Sequence, residues 1–280
     1  MSLVKRVYLS DNSTITELTD DIKRYADGSS VVADIVAAED YLYIAQIYPF
    51  NHFYVNVSTP SVTTSNAITI EYWDGREWIE AYETIDTTRG FTRTGFITFI
   101  PKDNKGWTSE STNNNGDQIT DLTTIKVYDM YWARIKFSLD IPAGFTLKYI
   151  GQKFCDDIDL GTEFPSLVSS SMYAAYGPSK TNWDEQHCLA AELISDLLIK
   201  LEVIENSGQI LVKERFTKAS VMKVAEIIFN SLGDDYIDQS DKASAQFKER
   251  MNLSIYMVDK NKNATLDIKE RDNRTGFLSR

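Results

Sequence analysis

The stretch Ile68-Thr69-Ile70-Glu71-Tyr72-Trp73-Asp74-Gly75-Arg76-Glu77-Trp78-Ile79 decides the fold class of the first half of the chain. Ile68, Ile70 and Tyr72 fall on alternate positions, which is the period-two pattern of a strand with one apolar face. Asp74-Gly75 supplies residues that accept positive φ, as a tight hairpin requires, and Trp78-Ile79 begins the return strand. Working outward, short strands are expected at 96–100, at 125–127 and, after a turn at Pro142–Gly144, at 145–150. The clearest is 131–139, where Tyr131, Ala133, Ile135, Phe137 and Leu139 alternate with Trp132, Arg134, Lys136 and Ser138. Many short strands with polar turns predict an antiparallel β-sandwich or jelly-roll-like domain over residues 1–165. Residues 11–26 carry Ile15, Leu18 and Ile22 at helical spacing and read as a short helix. Asp103 to Asp121 reads as a long polar loop, with Trp107 its expected exposed aromatic.

The composition changes near residue 165. From there to 258 the periodicity is helical, which makes the fold class α+β. Asn182 and Glu185 have the spacing of a capping box. Leu189, Leu193, Ile194, Leu197, Leu198 and Leu201 form one apolar stripe after it, and Asn206-Ser207-Gly208 is the expected stop. A second helix is expected from Thr217 to Ser231, halted by Gly233, and a third from Ser240 to Val258. Three helices with short links pack as a small bundle. Residues 259–280 are polar and read as an extended C-terminal arm.

The charge balance excludes some functions. Forty-one acidic against twenty-nine basic side chains leave a net charge of −12, the opposite of a surface that grips phosphates. No segment has the uninterrupted apolar length of a membrane span, and Met1 to Tyr8 lacks the apolar core of a secretory signal. Two cysteines, Cys155 and Cys188, do not make a disulfide scaffold and read as reduced thiols.

Candidate chemistry is sparse. His52 and His187 are the only histidines, and no zinc, nucleotide-binding or nucleophile-elbow motif occurs. His187 adjoins Cys188, but neighbours on a helix do not face each other, so the expectation is a buried Cys188 beside an exposed His187. Asp156, Asp157 and Asp159 are the kind of cluster that glycoside hydrolysis or a divalent metal uses; in so acidic a chain they read as a solvated connection between domains. Trp73, Trp78, Trp107, Tyr72 and Tyr82 are candidates for stacking on sugar rings, or are core. Asp259, Asn261, Asn263, Asp267 and Glu270 sit at oxygen-ligand positions of a twelve-residue loop that resembles an EF-hand, so Ca2+ is the one cofactor considered. Ala264 occupies the place of the turn glycine, and the alternative is a polar turn held by Asx hydrogen bonds.

Three stretches together resemble a β-domain of tailed-bacteriophage structural proteins: Ile70 to Ile79, Gly90-Phe-Thr-Arg-Thr-Gly95-Phe-Ile-Thr-Phe99 and Lys105-Gly106-Trp107. Tyr131-Trp132-Ala-Arg134-Ile135 and Lys148-Tyr149-Ile150-Gly151 continue the likeness. Residues 183–258, with the acidic loop after them, resemble the helical core of phage head–tail connector (adaptor, neck) proteins. The resemblance implies a virion structural protein without catalysis, made in the host cytoplasm and placed at the head–tail interface. It implies a homo-oligomeric, twelvefold ring between portal and tail or neck proteins, through which DNA passes on ejection without specific binding. It also implies an arm contacting the portal, with Thr265, Lys269, Arg271, Arg274, Phe277 and Arg280 as partner-binding candidates. The alternative it leaves open is a baseplate, collar or fibre-associated virion protein whose β-domain binds glycan or protein.

Overall fold

The structure, a computed structural model, describes residues 5–11, 14–25, 31–37, 39–102, 106–112, 122–253 and 264 of the 280. It divides into two compact units at Gly151/Gln152. The architecture is α+β, with antiparallel sheets first and helices after.

The first unit has twelve described strands: β1 (Lys5–Asp11), β2 (Thr14–Glu17), β3 (Val31–Ile35), β4 (Tyr41–Gln46), β5 (His52–Thr59), β6 (Ile68–Trp73), β7 (Trp78–Glu80), β8 (Glu83–Asp86), β9 (Gly95–Ile100), β10 (Ser109–Glu110), β11 (Met130–Phe137) and β12 (Ile141–Gly151). One sheet runs β2-β1-β4-β11-β6-β7, with β10 also paired to β11. The other runs β3-β12-β5-β9-β8. All the described pairings are antiparallel.

Period-two alternation explains how the sheets pack. Val7, Leu42, Ile44, Ile70, Ile135 and Phe137 of the first sheet meet Phe53, Val55, Ile97, Phe99, Phe145 and Leu147 of the second in one buried core. The odd positions of β11 point into that core. Its even positions, Trp132 among them, join Tyr8, Tyr43, Ala45 and Trp73 in a second cluster on the outer face, against Leu122 and Val127. Both faces of this sheet are therefore apolar. Arg134 on that outer face bonds Glu71 at 2.6 Å, and its guanidinium lies 4.1 Å from the Tyr41 ring centroid and 4.6 Å from that of Trp78. Both partners of the ion pair are about seven-eighths buried. Truncating one leaves the other desolvated without its counter-charge. We therefore expect Glu71→Ala to cost about 2 kcal/mol, read as a lowered midpoint in urea unfolding followed by tryptophan fluorescence.

Three sequence expectations are corrected here. Residues 11–26 are not one helix: Leu9, Ser10 and Asp11 pair with Thr16, Ile15 and Thr14 in a hairpin, and the α-helix among the described residues of this range is α1 (Thr19–Ile22). β propensity at Thr14-Ile15-Thr16 and pairing to β1 override the local 3.6 spacing. Residues 125–127 form no strand; Thr112 bonds Val127 and Ile125 through its backbone and hydroxyl, and Ile125 and Val127 cover the outer aromatic cluster. The domain boundary is not at 165. Phe154, Cys155, Leu160 and Leu167 belong to the core of the second unit.

That unit contains α2 (Asp157–Glu163), α3 (Ser170–Tyr176), α4 (Asp184–Lys200), α5 (Thr217–Ser231) and α6 (Ile237–Leu253). α5 is central, buried through Val221, Val224, Ala225 and Ile228 against both α4 and α6. Gly233, at φ 96°, ends the α5 segment, as the sequence suggests. The apolar stripe of α4 is rotated from the expected one. Cys188, Ala190, Ala191, Ile194, Ser195 and Leu198 are buried, while Leu189 and Leu193 are exposed. Small residues let α4 approach its neighbours closely, which a count of leucines does not register. The capping box at Asn182/Glu185 does not form; Trp183 is the N-cap, and Asn182 only accepts the Asp184 N–H at 3.2 Å. Asn206 caps a separate 3-10 turn (Ser207–Gln209) instead of ending α4.

Candidate functional site

The densest polar constellation in the helical unit lies where α2 starts. Asp156 is the N-cap of α2; its carboxylate accepts from the N–H groups of Ile158 and Asp159, and Asp159 returns the bond to the Asp156 N–H. This capping box fixes the first turn of α2. It thereby sets Cys155 on one side and Asp157 on the other.

His187, on α4, joins them. Its Nδ1 is 3.0 Å from Cys155 Sγ and its Nε2 is 2.9 Å from Asp157 Oδ1. Cys155 Sγ also lies 3.1 Å from Ser220 Oγ on α5. On its other oxygen, Oδ2, Asp157 accepts the Tyr173 hydroxyl of α3 at 3.0 Å, and the Trp183 N–H is shared between Oδ1 at 3.3 Å and Oδ2 at 3.4 Å. A single row, Ser220–Cys155–His187–Asp157–Tyr173, thus ties α5, the start of α2, α4 and α3 together. Beside it, the Lys153 ammonium bonds Asp184 at 2.5 Å.

Thiol, imidazole and carboxylate in this order are the arrangement of an activated cysteine nucleophile. The environment decides what the row does. His187 is fully buried and Cys155 nearly so. Burial pushes the Cys155 thiol up to about 12, beyond the help of its Ser220 hydrogen bond. The reactive form is the thiolate, and this thiol stays protonated at neutral pH. Asp157 is held below the usual carboxylate range; burial works against this, but its bonds to His187 and Tyr173 outweigh it. Tyr173 is pushed up to about 12 by burial and by the Asp157 charge. The row is built for cohesion: a charged carboxylate with three donors, and a thiol that fills the gap between two helices.

His187 is therefore buried, not exposed as its sequence position suggested, and its partner is Cys155, not Cys188. Cys188 is buried as expected. The acidic cluster is not a solvated connection; Asp156 and Asp159 cap a helix and Asp157 anchors His187. Aspartates at both N-cap and N3 were the available sequence signal. The bonds from residue 155 to 187 and from 157 to 187 span about thirty residues, which no local spacing reveals.

The aromatic candidates do not share a platform. Tyr72 is in the interior of the sandwich. Trp107 is half-buried against the inter-sheet core, with ring centroids 5.0 Å from Phe50, 5.4 Å from Tyr72 and 5.8 Å from Phe99, not exposed as expected. Trp73 is buried and Trp78 lies under Arg134, while Tyr82 is exposed beside β8. The indole N–H groups of Trp73 and Trp107 are buried with no oxygen or nitrogen acceptor. Both indoles lie among other rings; Trp73 meets Trp78 edge-on at 5.3 Å.

The calcium-loop candidates Asp259, Asn261, Asn263, Asp267 and Glu270 lie outside the described residues, as do the arm candidates Thr265, Lys269, Arg271, Arg274, Phe277 and Arg280. Ala264, the described residue of that loop, takes φ 60°, the left-handed conformation that a glycine would adopt without strain. Among the described residues no group of three or more His, Cys, Asp or Glu side chains is placed to hold a metal ion. Among them, too, no helix is long and apolar enough to cross a membrane.

The chain matches no family model, and no curated protein is similar to it. Among solved structures, it is similar to the crystal structure of chitosan-binding module 1 of a chitosanase/glucanase from Paenibacillus sp. IK-5. The identity is 15% over 54% of this chain and 95% of that one, with a TM-score of 0.26, a likeness too slight to bear on fold or ligand.

Proposed function

We propose that this protein is a non-catalytic structural component of a tailed-phage virion, a head–tail connector that assembles as a ring between portal and tail. The observation that supports this reading is the organisation of the helical unit. α4, α5 and α6 surround one apolar core within the stretch that carries the resemblance, and Leu189 and Leu193 remain on the exposed face of α4. A closed ring needs two different complementary surfaces on each copy, and an exposed leucine pair one helical turn apart suits one of them.

The test is the copy number in purified virions, by quantitative mass spectrometry against the portal protein. One copy per portal copy is the expected result. A ratio of one half or one quarter would instead place the chain in the tail or baseplate, and absence from the particle would end the proposal. Truncation before Thr265 is expected to abolish portal binding in a pull-down while the helical unit keeps its melting temperature. Retained binding would remove the arm from the interface.

A further inference from the structure

β8 is the last strand of its sheet, paired on one side only, to β9. The ladder fixes which main-chain groups face where. Phe99 donates to Asn51 of the loop leading into β5, and Thr87 donates to Phe96. In an antiparallel pair the bonds fall on alternate residues. Glu83 and Ile85 therefore turn their N–H and C=O groups toward β9, and Thr84 turns its own outward. The Thr84 main chain has no partner among the described residues.

The side chains at this edge are also unusual. Ile85 is 52% exposed, Ile100 43% and Tyr82 76%. Ile85 pairs with Thr98 and Glu83 with Ile100, so Ile85 and Ile100 are diagonal neighbours on the solvent face. Two β-branched apolar side chains thus sit beside the outward-facing main chain of Thr84. Two other edge strands differ: β2 exposes only polar side chains, and the large residue of β7, Trp78, is covered by Arg134.

Charge selects the occupant. Residues 78–88 contain Glu80, Glu83 and Asp86 and no Lys or Arg. Pairing with a second copy's β8 would bring the Glu83 carboxylates of both copies to one seam, while Asp86 is taken up by its own turn and Arg93 is held at the Thr87 carbonyl; this works against self-association. The same charges attract a basic strand.

We propose that the outer edge of β8 docks an extended segment of another polypeptide by strand addition. The segment bonds the Thr84 main chain, lays an apolar side chain over Ile85 and Ile100, and places a Lys or Arg, two residues away on the same face, against Glu83. This inference is independent of the connector reading and holds wherever the protein sits.

The test uses the full chain, labelled with 2H and 15N, and the peptide acetyl-Thr-Lys-Thr-Val-Thr-Lys-Thr-amide as probe. The expected result is a saturable shift of the Thr84, Ile85 and Asp86 amides, with slowed solvent exchange at Thr84, at up to about 5 mM peptide. Glu83→Lys is expected to weaken this about tenfold, the scale of one lost charge-assisted contact. Ile85→Lys, a surface change that leaves the β9 pairing intact, should weaken it as much. A peptide with Glu in place of Lys should not bind. The proposal is overturned by an absence of shifts in the wild type, by equal binding of the Glu peptide, or by shifts confined to other strands. Concentration-dependent shifts without peptide would also overturn it, and would assign the edge to a second copy.

Discussion

Replacing His187 with alanine lowers the stability of the helical unit by about 3 kcal/mol, the scale for breaking a buried hydrogen-bonded pair and leaving a cavity. The loss has three parts. The Asp157 carboxylate keeps Tyr173 and the Trp183 N–H but loses its imidazole. The Cys155 thiol keeps Ser220 alone. An imidazole-sized void opens between α2, α4 and α5. For a unit of this size the melting temperature should fall by about 10 °C or more. The helical signal in circular dichroism reports it. Four of the five tryptophans lie in the β-unit, so their fluorescence serves as the internal control. Cys155→Ser, which keeps a donor and acceptor between His187 and Ser220, should cost much less than His187→Ala. An equal loss in both would mean that packing, not the hydrogen-bonded row, holds this corner.

The pH dependence has a definite sign. Asp157 has a lowered folded-state value against an ordinary 3.8. Its contribution is therefore fully present above 3.8, declines as pH falls below that value, and is gone once pH has passed through the depressed folded value. Asp157→Asn removes the charge at every pH. The difference in melting temperature between wild type and Asp157→Asn that the carboxylate supplies should shrink as pH falls below about 4. A gap that widened on acidification would contradict the assignment of Asp157 as the charged partner.

The sequence made the strands of the sandwich readable because period two is a local property. Residues 131–139 give both faces of β11 outright: Ala133, Ile135 and Phe137 turn inward, and Trp132 and Arg134 outward. α5 was equally plain, since its apolar residues are large and its stop is a glycine with positive φ. What escaped were features set by distant partners. The burial of α4 is decided by Ala190, Ala191 and Ser195, residues whose small size matters only once α5 is beside them. The His187 row escaped for the same reason, because its members come from four separate segments. Trp107 sits in a polar stretch, and its neighbours Phe50, Tyr72 and Phe99 come from elsewhere in the sandwich. Hydrophobicity in a window cannot see a residue that the tertiary fold carries inward.

The second large effect is expected at Gly90. Arg89, Gly90 and Phe91 have φ of 54°, 67° and 64°, three successive residues in the left-handed region. Each non-glycine there costs about 1–2 kcal/mol. The turn is held by Asp86, whose carboxylate accepts the Thr88 N–H and hydroxyl and the Gly90 N–H, all within 2.7 Å. It delivers the Phe91 ring fully into the core, stacked 4.8 Å from Phe145 and 5.5 Å from Phe137. Burial of a phenylalanine is worth more than the local strain. At Gly90 itself a Cβ would lie 2.3 Å from the backbone oxygen of Asn66, and Asn66 cannot yield, because its side chain accepts from Ser138 and Leu139. Gly90→Ala thus adds a backbone clash to a disfavoured φ, and we expect a loss of about 3 kcal/mol or more, seen as an early transition in tryptophan fluorescence. Arg89→Gly tests the same turn from the other side. Arg89 is exposed at positive φ, so removing its side chain relieves strain, and the variant should be as stable as the wild type or more stable by up to about 1 kcal/mol. Opposite signs at adjacent positions would establish that backbone conformation governs this turn. If Arg89→Gly were instead as damaging as Gly90→Ala, the arginine side chain itself, whose neighbour Arg93 already bonds the Thr87 carbonyl at 2.7 Å, would have to be the group that holds it.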